Sequence, residues 1–499
     1  MSKKKLFPLG LLLLIYTFLS ILYFDPKLFT GGDNAVYIAL AESIASGNGY
    51  KNIYLPDTPE HTQYPPGFPL LLSLFIIIFG KNIFVLKVVI FLTGLTALIF
   101  MYKIVTKIFK DNAGLFLLFY LSIPILVLYN HWILSEIPFL FFSLGAIYFF
   151  IRFQEENKFW LFILSSVFAI FTFFTRTAGI SLIIAYLLYL FIHRKYKPLF
   201  IFILLFLIFF IPWQIRISQA ATSGGYLDQL LAKNPYQMEL GRVGFFEMLI
   251  RIWENFVLYS FKIIPATILP LLKSELILIF AGIVFLAFVL AGAINNFKCF
   301  TVIDVYFTIS ILVLFIWPKV WSSERFFLPI IPFFAIYFLK GIILLQNKLK
   351  AKYFLPASIG LTIFLNILVI IPQIKTSIAN NLAYLRGNHY AGYSMDWQRY
   401  FEMINWIDKN IPEDKVIMAR KPEFVYLLSG HKSFCYPFTL DTGDIKVSIA
   451  KADYILFDNF QWTATTYRYL LPVLQQRPEK FSVVHKTKSP EFFLLKVLN

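Results

Sequence analysis

The stretch that decides the fold is residues 83–105, IFVLKVVIFLTGLTALIFMYKIV. A helix of this length crosses the ~30 Å hydrocarbon core of a bilayer, which needs about 20 predominantly apolar residues. Lys87 and Lys103 are the charged residues within the stretch. The run therefore predicts a membrane-spanning helix, and much of the chain repeats its pattern.

Ten other apolar runs predict a polytopic α-helical membrane protein with about eleven spans. The composition agrees, because 59% apolar and 15% charged residues provide too little polarity to solvate a globular surface. The first run follows three lysines and lacks a small-x-small cleavage site, so we expect it to be retained as a span. The predicted spans are 6–24, 83–105, 113–129, 132–151, 159–174, 178–192, 199–215, 276–294, 302–316, 326–345 and 353–371.

Two further apolar stretches, 68–79 and 256–272, are short or broken by prolines, and counting them would give thirteen spans. Basic residues favour eleven, because lysine and arginine concentrate in short cytoplasmic loops. We therefore expect a plasma (inner) membrane protein with a cytoplasmic N-terminus, in which both stretches are interfacial or re-entrant. The cytoplasmic loops then carry Lys103, Lys107, Lys110, Arg152, Lys158, Arg194, Lys195, Lys197, Lys298, Lys348, Lys350 and Lys352.

This topology leaves the large polar segments on the extracytoplasmic side, as a first outer loop at 25–82, a second at 216–275 and a C-terminal tail. We divide the chain into a membrane module, 1–375, and an extracytoplasmic soluble α/β domain, 376–499. Within the tail, the residue pattern predicts a helix at 395–409, strands at 416–419 and 454–457, and a hairpin of 481–485 with 492–497.

The formal net charge of +17 does not indicate a nucleic-acid partner, because the cations cluster at the ends of apolar runs and form no single basic stripe. Membrane lipids are the expected surroundings of these cations. A divalent metal is not supported either, since Glu60 and His61 are adjacent potential ligands without an obvious third. The sequence has no P-loop, HExxH or CxxC motif.

The first outer loop begins with FTGGDN at 29–34 and runs into a predicted helix at 35–46. Apolar residues share one face of this helix, so we expect it to lie in the membrane interface with Asp33 on its water side. The alternative is that Asp33 or Asn34 only caps the helix, because both residue types are preferred at that position.

Other ionisable residues stand at the outer ends of predicted spans, where charge is costly and is usually retained for pairing or function. They are Glu136 in SEIP (135–138), Arg176 in TRTAG (175–179) and Arg325 in SERF (323–326). Because the topology places all three on the side of Asp33, we expect them to converge on one cavity. The alternatives are that Glu136 only pairs with Arg176 and that Arg325 reaches toward lipid headgroups.

At these residues the chain resembles the GT-C fold glycosyltransferases, especially bacterial relatives of protein O-mannosyltransferases and of the lipid A aminoarabinose transferase. The resemblance covers nearly the whole chain and rests on the order and sidedness of its pieces. These are Gly32-Asp33 with the helix that follows, YPPG at 64–67, SEIP, the Arg176 motif and RFFLP at 325–329.

The resemblance implies roles for particular residues. Asp33 is the expected catalytic base, and Glu136 matches a second functionally important acidic residue that we expect to belong to the catalytic site. The residue after the base is often acidic in the family but is Asn34 here, which leaves a single base and argues against a paired-carboxylate metal site. Tyr64 replaces a lysine of the aminoarabinose branch, so phosphate binding must be supplied differently. The expected substrate-binding residues are Asn34, His61, Tyr64, His131, Arg176 and Arg325.

The resemblance also implies an activity. We expect a sugar to move from a polyprenyl-phosphate carrier to an extracytoplasmic lipid, glycan or protein acceptor, because no nucleotide-sugar pool exists outside the cytoplasm. One carboxylate as base and cations at the phosphate would suffice for a single displacement that inverts the anomeric centre. This displacement does not in itself call for a cofactor.

Two alternatives remain open at this point. An enzyme of the O-antigen polymerase or ligase type is expected to place functional arginines in a late outer loop. In this sequence only Arg325 matches that expectation. A non-catalytic polyprenyl-lipid transporter would be favoured by an inverted repeat, and we find none in the sequence.

Overall fold

The computed structural model describes residues 9–220, 226–296 and 300–498. The start of the first predicted span, the lysines that precede it and Lys298 lie outside these ranges. Within them, residues up to 385 form mainly α-helices, whose buried faces share one large apolar core.

In chain order these helices are α1 (Leu9–Tyr23), α2 (Asn34–Ala45), α3 (Gly67–Phe79), α4 (Ile83–Phe109), α5 (Ala113–Ser122), α6 (Pro124–Leu128), α7 (Glu136–Glu156), α8 (Phe159–Thr175), α9 (Ile180–Ile192), α10 (Tyr196–Gln219), α11 (Tyr226–Leu231), α12 (Phe245–Leu258), α13 (Ile264–Ile268), α14 (Glu275–Asn296), α15 (Val302–Ile316), α16 (Glu324–Phe327), α17 (Ile331–Leu349) and α18 (Phe354–Leu385).

Each of the eleven predicted runs is mainly helical over its described residues, so the helical membrane architecture is confirmed. Pro124 divides the third run between α5 and α6, because proline cannot continue the hydrogen bonding of a helix interior. The number of spans and the side on which each loop lies stay predictions. Among the described residues, six stretches are long and apolar enough to cross a bilayer: Ile83–Ser122, Glu136–Glu156, Tyr196–Gln219, Glu275–Asn295, Glu324–Leu349 and Phe354–Leu385.

The two stretches that distinguish eleven spans from thirteen are helical but short. Residues 68–79 lie in α3, whose 13 residues fall below the roughly 20 that a span requires. Residues 256–272 are divided among the end of α12, a π-turn at Tyr259–Ile263 and α13. These lengths are compatible with the interfacial or re-entrant placement predicted for both stretches.

Helix α18 extends well beyond its predicted run. It continues through Pro372 to Leu385, over residues expected to begin the tail. This extension is tied to the end of α1, because the Tyr23 hydroxyl donates a hydrogen bond to Gln373 Oε1 at 2.7 Å. The chain therefore leaves the helical core as a helix and not as a loop.

The C-terminal part, residues 386–498, is hereafter called the sheet unit. Its five strands have the spatial order β2-β1-β3-β5-β4, with β1 parallel to both neighbours and β5 antiparallel to both of its own. The elements are α19 (Met395–Asn410), β1 (Ile417–Ala419), α20 (Pro422–Ser429), β2 (Ser433–Phe434), α21 (Thr442–Ile449), β3 (Tyr454–Phe457), α22 (Leu471–Leu474), β4 (Phe481–Lys486) and β5 (Phe493–Val497). The helix, strands and hairpin expected from the sequence are confirmed to within one residue at each end, whereas the two-residue β2 was not predicted.

The sheet unit packs on the first outer loop. The backbone N–H of Ser433 donates to the Tyr54 carbonyl at 2.8 Å, and the Tyr393 hydroxyl donates to the Leu28 carbonyl at 2.7 Å. The loop is therefore held between the helices and the sheet unit, which fixes the position of the FTGGDN turn.

Two glycines allow α14 and α17 to approach each other closely. A Cβ built on Gly341 would lie 2.0 Å from the Phe288 carbonyl oxygen, and one on Gly292 would lie 2.0 Å from that of Tyr337. Backbone contact through small residues is a common mode of helix packing in membranes. The pair thus sets the separation of these two helices.

We expect Gly341→Ala to lower the free energy of unfolding by about 1–3 kcal/mol, because the added methyl group must push the two helices apart. The measurement is thermal melting of the purified protein in detergent. Gly360→Ala on α18 is the matched control, since a Cβ there meets no atom within 4 Å. Equal melting temperatures for the two variants would contradict the close packing.

Candidate active site

A cavity of about 510 Å³ lies among the first outer loop, the neighbouring ends of several helices and the sheet unit. Its wall combines charged groups with apolar side chains such as Val313, Leu314 and Ile330. The lining residues with functional groups of interest are Asp33, Tyr64, Arg176, Arg325, Lys421 and Trp462.

Asp33 reaches this cavity through the turn before α2. Gly32 has a φ of +65°, which favours glycine, and a Cβ there would lie 2.7 Å from Arg325 Nη1. The Asp33 side chain makes no capping hydrogen bond to α2. Its Oδ2 instead accepts a hydrogen bond from Arg325 Nη2 at 3.1 Å. The geometry thus matches a carboxylate that faces the cavity and does not match a helix cap.

A buried ionic network connects the two arginines. Glu136 begins α7 and is fully buried. Its Oε1 accepts hydrogen bonds from both Arg176 Nη1 and Arg325 Nε, and Arg176 Nη1 also donates to Ser135 Oγ at 3.3 Å. Glu136 therefore pairs with both arginines, and Arg325 is directed to carboxylates and not to the lipid boundary.

The neighbours of Asp33 keep it ionised. Burial raises the pKa of its carboxyl group, but the charges of Arg325 and Lys421, together with hydrogen bonds from Tyr64 and Arg325, hold that pKa below its ordinary value of 3.8. Burial and the nearby Asp33 charge raise the pKa of Tyr64, so its phenol stays protonated as a donor. At neutral pH the cavity thus presents a carboxylate fixed by two donors.

Asn34 and His61 support the first outer loop from behind the cavity wall. Asn34 Nδ2 donates to the carbonyl oxygens of Phe29 and Gly31, which closes the turn before Asp33. The His61 ring accepts from the Tyr64 backbone N–H at Nε2, at 2.8 Å. Burial and the charge of Arg216 lower the pKa of His61 to about 3, so the ring is neutral.

His131 is buried away from the cavity lining, beside the rings of Phe24 and Trp132. Burial and the charges of Lys87 and Lys27 lower the pKa of His131 to about 3. Glu136 likewise does not line the cavity and contacts the two arginines that do. The predicted site residues therefore separate into four on the wall (Asp33, Tyr64, Arg176 and Arg325) and four behind it (Asn34, His61, His131 and Glu136).

Metal binding gains no support from the geometry. Glu60, considered with His61 as a potential ligand, accepts a hydrogen bond from Arg216 Nη2. Among the described residues, no group of three or more His, Cys, Asp or Glu side chains is arranged to hold a metal ion.

Sequence reasoning missed the contribution of the sheet unit. Lys421, Trp462 and Trp397 line the cavity although they lie far along the chain from its other residues. Lys421 precedes the proline that begins α20, which marks a helix start and carries no hint of a site. These residues reach the cavity only because the sheet unit folds back over the first outer loop.

Comparisons with known proteins bear on this architecture. Residues 63–215 match the family model of the dolichyl-phosphate-mannose-protein mannosyltransferases. This range includes Tyr64, Glu136 and Arg176, whereas Asp33, Arg325 and the sheet unit lie outside it. No curated protein matches the chain by sequence.

The fold recurs in solved structures at low sequence identity. ArnT from Cupriavidus metallidurans in the apo state superposes with a TM-score of 0.59 and 12% identity over 97% of each chain. The same protein bound to undecaprenyl phosphate gives 0.56, with the same identity and coverage. The oligosaccharyltransferase AglB from Archaeoglobus fulgidus, in complex with an inhibitory peptide and a dolichol-phosphate, gives 0.55 and 12% over 97% of this chain and 74% of that one.

Fold and site thus define a class: a polytopic helical protein with a C-terminal sheet unit and a charged cavity between them. The resemblance to the GT-C fold glycosyltransferases is confirmed, because the family whose model matches and the similar structures are glycosyltransferases of this kind.

We expect Glu136→Gln to destabilise the fold by about 3–5 kcal/mol, because two largely buried guanidinium groups lose their shared counter-charge. Thermal melting in detergent measures the change. Glu155→Gln is the control: its pair with Lys107 is about half exposed and should contribute no more than about 1 kcal/mol.

Adding Arg176→Gln to Glu136→Gln should cost less stability than the sum of the two single changes. Strictly additive losses would argue against one shared network.

Proposed function

We propose that this protein is a membrane glycosyltransferase that moves a sugar from a polyprenyl-phosphate carrier to an extracytoplasmic acceptor. One observation carries the proposal: Asp33, Arg176 and Arg325 meet on a cavity whose wall is otherwise partly apolar. A lipid-linked phosphate needs both properties. The undecaprenyl phosphate of the ArnT structure and the dolichol-phosphate of the AglB structure are ligands of the same chemistry on the same fold.

In the proposed reaction the arginines bind the donor phosphate. The bond between the anomeric carbon and the phosphate oxygen breaks, and its electron pair stays on that oxygen, so a phosphodiester becomes a phosphomonoester with one further negative charge. Fixed cations stabilise such developing charge most when they need not reorient. Arg176 and Arg325 meet this condition because Glu136 holds both of them, which makes Glu136 a positioning residue in this proposal.

Asp33 is the proposed general base. The acceptor hydroxyl or amine forms a new bond to the anomeric carbon opposite the departing phosphate, and its proton passes to the Asp33 carboxylate. A single displacement of this kind inverts the anomeric configuration. The lowered pKa of Asp33 means that its carboxylate is unprotonated at neutral pH, as a base must be, although the same shift lowers its basicity. The Tyr64 hydroxyl would orient it.

The positive-inside pattern supports an orientation with the cavity and the sheet unit on the extracytoplasmic side. A lipid carrier would then enter with its chain among the outer ends of the helices and its phosphate at the arginines. Incubating the purified protein with a panel of polyprenyl-phosphate sugars and acceptors tests the activity directly. Release of polyprenyl phosphate is the expected result, and a complete lack of release across the panel would count against the proposal.

We expect Asp33→Asn to lower kcat by at least about 10²-fold, since removing a general base costs 10²–10⁴-fold. Asn keeps the shape of the side chain and an oxygen for Arg325. The assay uses the donor that gives turnover with the wild-type protein. Asp57→Asn, an exposed aspartate of the same loop, is the matched control and should be unchanged. Undiminished turnover of Asp33→Asn would remove Asp33 from the mechanism.

We expect Arg176→Gln to lower kcat by about 10²–10³-fold, because one fixed donor to the developing phosphate charge is lost. Glu136 keeps Arg325 as its partner, so the melting temperature should fall less than in Glu136→Gln. Arg477→Gln in the exposed part of the sheet unit serves as control. A variant that raises KM without changing kcat would instead show that Arg176 binds ground state and transition state equally.

A further inference from the structure

The sheet unit places a cation in the cavity that the proposed reaction has not used. Lys421 lines the cavity together with Asp33, Arg176 and Arg325. Its side chain is 19% exposed. A lysine that is largely removed from water usually has a partner of opposite charge, so the surroundings of Lys421 are informative.

The position of Lys421 is fixed by the core of the sheet unit. Its carbonyl oxygen accepts a hydrogen bond from the Tyr400 hydroxyl at 2.8 Å, and Tyr400 is fully buried. Its Nζ lies 5.7 Å from the centre of the Trp462 ring, within the range of a cation–π contact. The buried Arg420 contacts the same ring, with its guanidinium carbon 5.1 Å from the ring centre.

The carboxylate beside Lys421 does not use all the hydrogen-bond donors of its ammonium group. Nζ lies 3.5 Å from Glu423 Oε1, longer than the 2.7–2.9 Å usual for a charge-assisted hydrogen bond. An ammonium group has three N–H donors, so at least two remain for a ligand in the cavity. Pairing with Glu423 therefore explains how the charge is tolerated but not why it faces the cavity.

Charge balance indicates what that ligand is. Arg176 and Arg325 are already shared with Glu136, and Arg325 also contacts Asp33. Glu136 and Glu423, the carboxylate partners of these cations, do not line the cavity. Among the described residues, its wall carries three cations, Arg176, Arg325 and Lys421, and one carboxylate, Asp33, which leaves an excess of positive charge facing the cavity. A phosphate anion is the ligand that this excess suits.

We propose that Lys421, reaching over from the sheet unit, binds the phosphate group of the lipid carrier and so completes a site that the helical part forms only in part. This inference rests on the proposed function. The sheet unit is then part of the binding site and more than a cover.

The test compares binding of polyprenyl phosphate with binding of the uncharged polyprenol to the full-length protein in detergent. We expect Lys421→Gln to weaken polyprenyl phosphate binding at least about tenfold, as for the loss of a hydrogen bond to a charged group, and to leave polyprenol binding unchanged. Lys421→Arg keeps the charge and should retain most of the preference. Lys446→Gln, on an exposed face of α21, is the matched control.

A second measurement needs no variant. Amine-selective acylation of the wild-type protein, read by mass spectrometry, should label Lys421 more slowly in the presence of polyprenyl phosphate, while Lys446 is labelled at an unchanged rate. Inorganic phosphate at the same concentration should protect Lys421 far less, because it lacks the lipid chain. Equal protection by inorganic phosphate would overturn a carrier-specific site.

The outcomes separate the two proposals. Wild-type binding of polyprenyl phosphate with no loss in Lys421→Gln, or with no protection of Lys421, overturns the role of Lys421 and leaves the proposed glycosyl transfer standing. Equal binding of polyprenol and polyprenyl phosphate by the wild-type protein contradicts the proposed function itself.

Discussion

The arrangement of the cavity wall depends on one buried carboxylate. Glu136 has no exposed surface, and a charge in such a place is tolerated only when opposite charges and hydrogen bonds surround it. Arg176 and Arg325 both donate to the same oxygen of Glu136. Satisfying this single group draws together the start of α7, the end of α8 and the start of α16, and it leaves Arg325 placed to contact Asp33.

The first outer loop depends on support from both sides. Asn34 and His61 hold its turns from within, while the sheet unit holds it from outside through Ser433 and Tyr393. Residues expected to touch substrate thus stabilise the backbone that presents Asp33. The sheet unit has a second consequence, because the same docking carries Lys421 and Trp462 to the cavity.

Local patterns predicted most of the elements. Apolar runs became helices, and the helix and hairpin of the sheet unit have nearly the predicted bounds, because burial and periodicity act over a few residues. Elements and helix ends that depend on contacts between distant parts of the chain were harder to predict from the sequence. Helix α18 passes Pro372 because its extension packs beside α1, and β2 exists only because the chain pairs Ser433 with Ile417. Neither feature has a local signal.

The sequence by itself determined that this chain is a helical membrane protein and which ionisable residues stand at the ends of its helices. Hydrophobicity and charge are properties of short segments, so they can be read along the chain. Only the tertiary structure decided which of those charges meet. Arg325 lies 189 residues from Glu136 and 292 from Asp33 in sequence, and such pairings follow from the packing of whole helices. The same reason separates Tyr64, on the cavity wall, from His61 and His131 behind it, and brings in Lys421 from the far end of the chain.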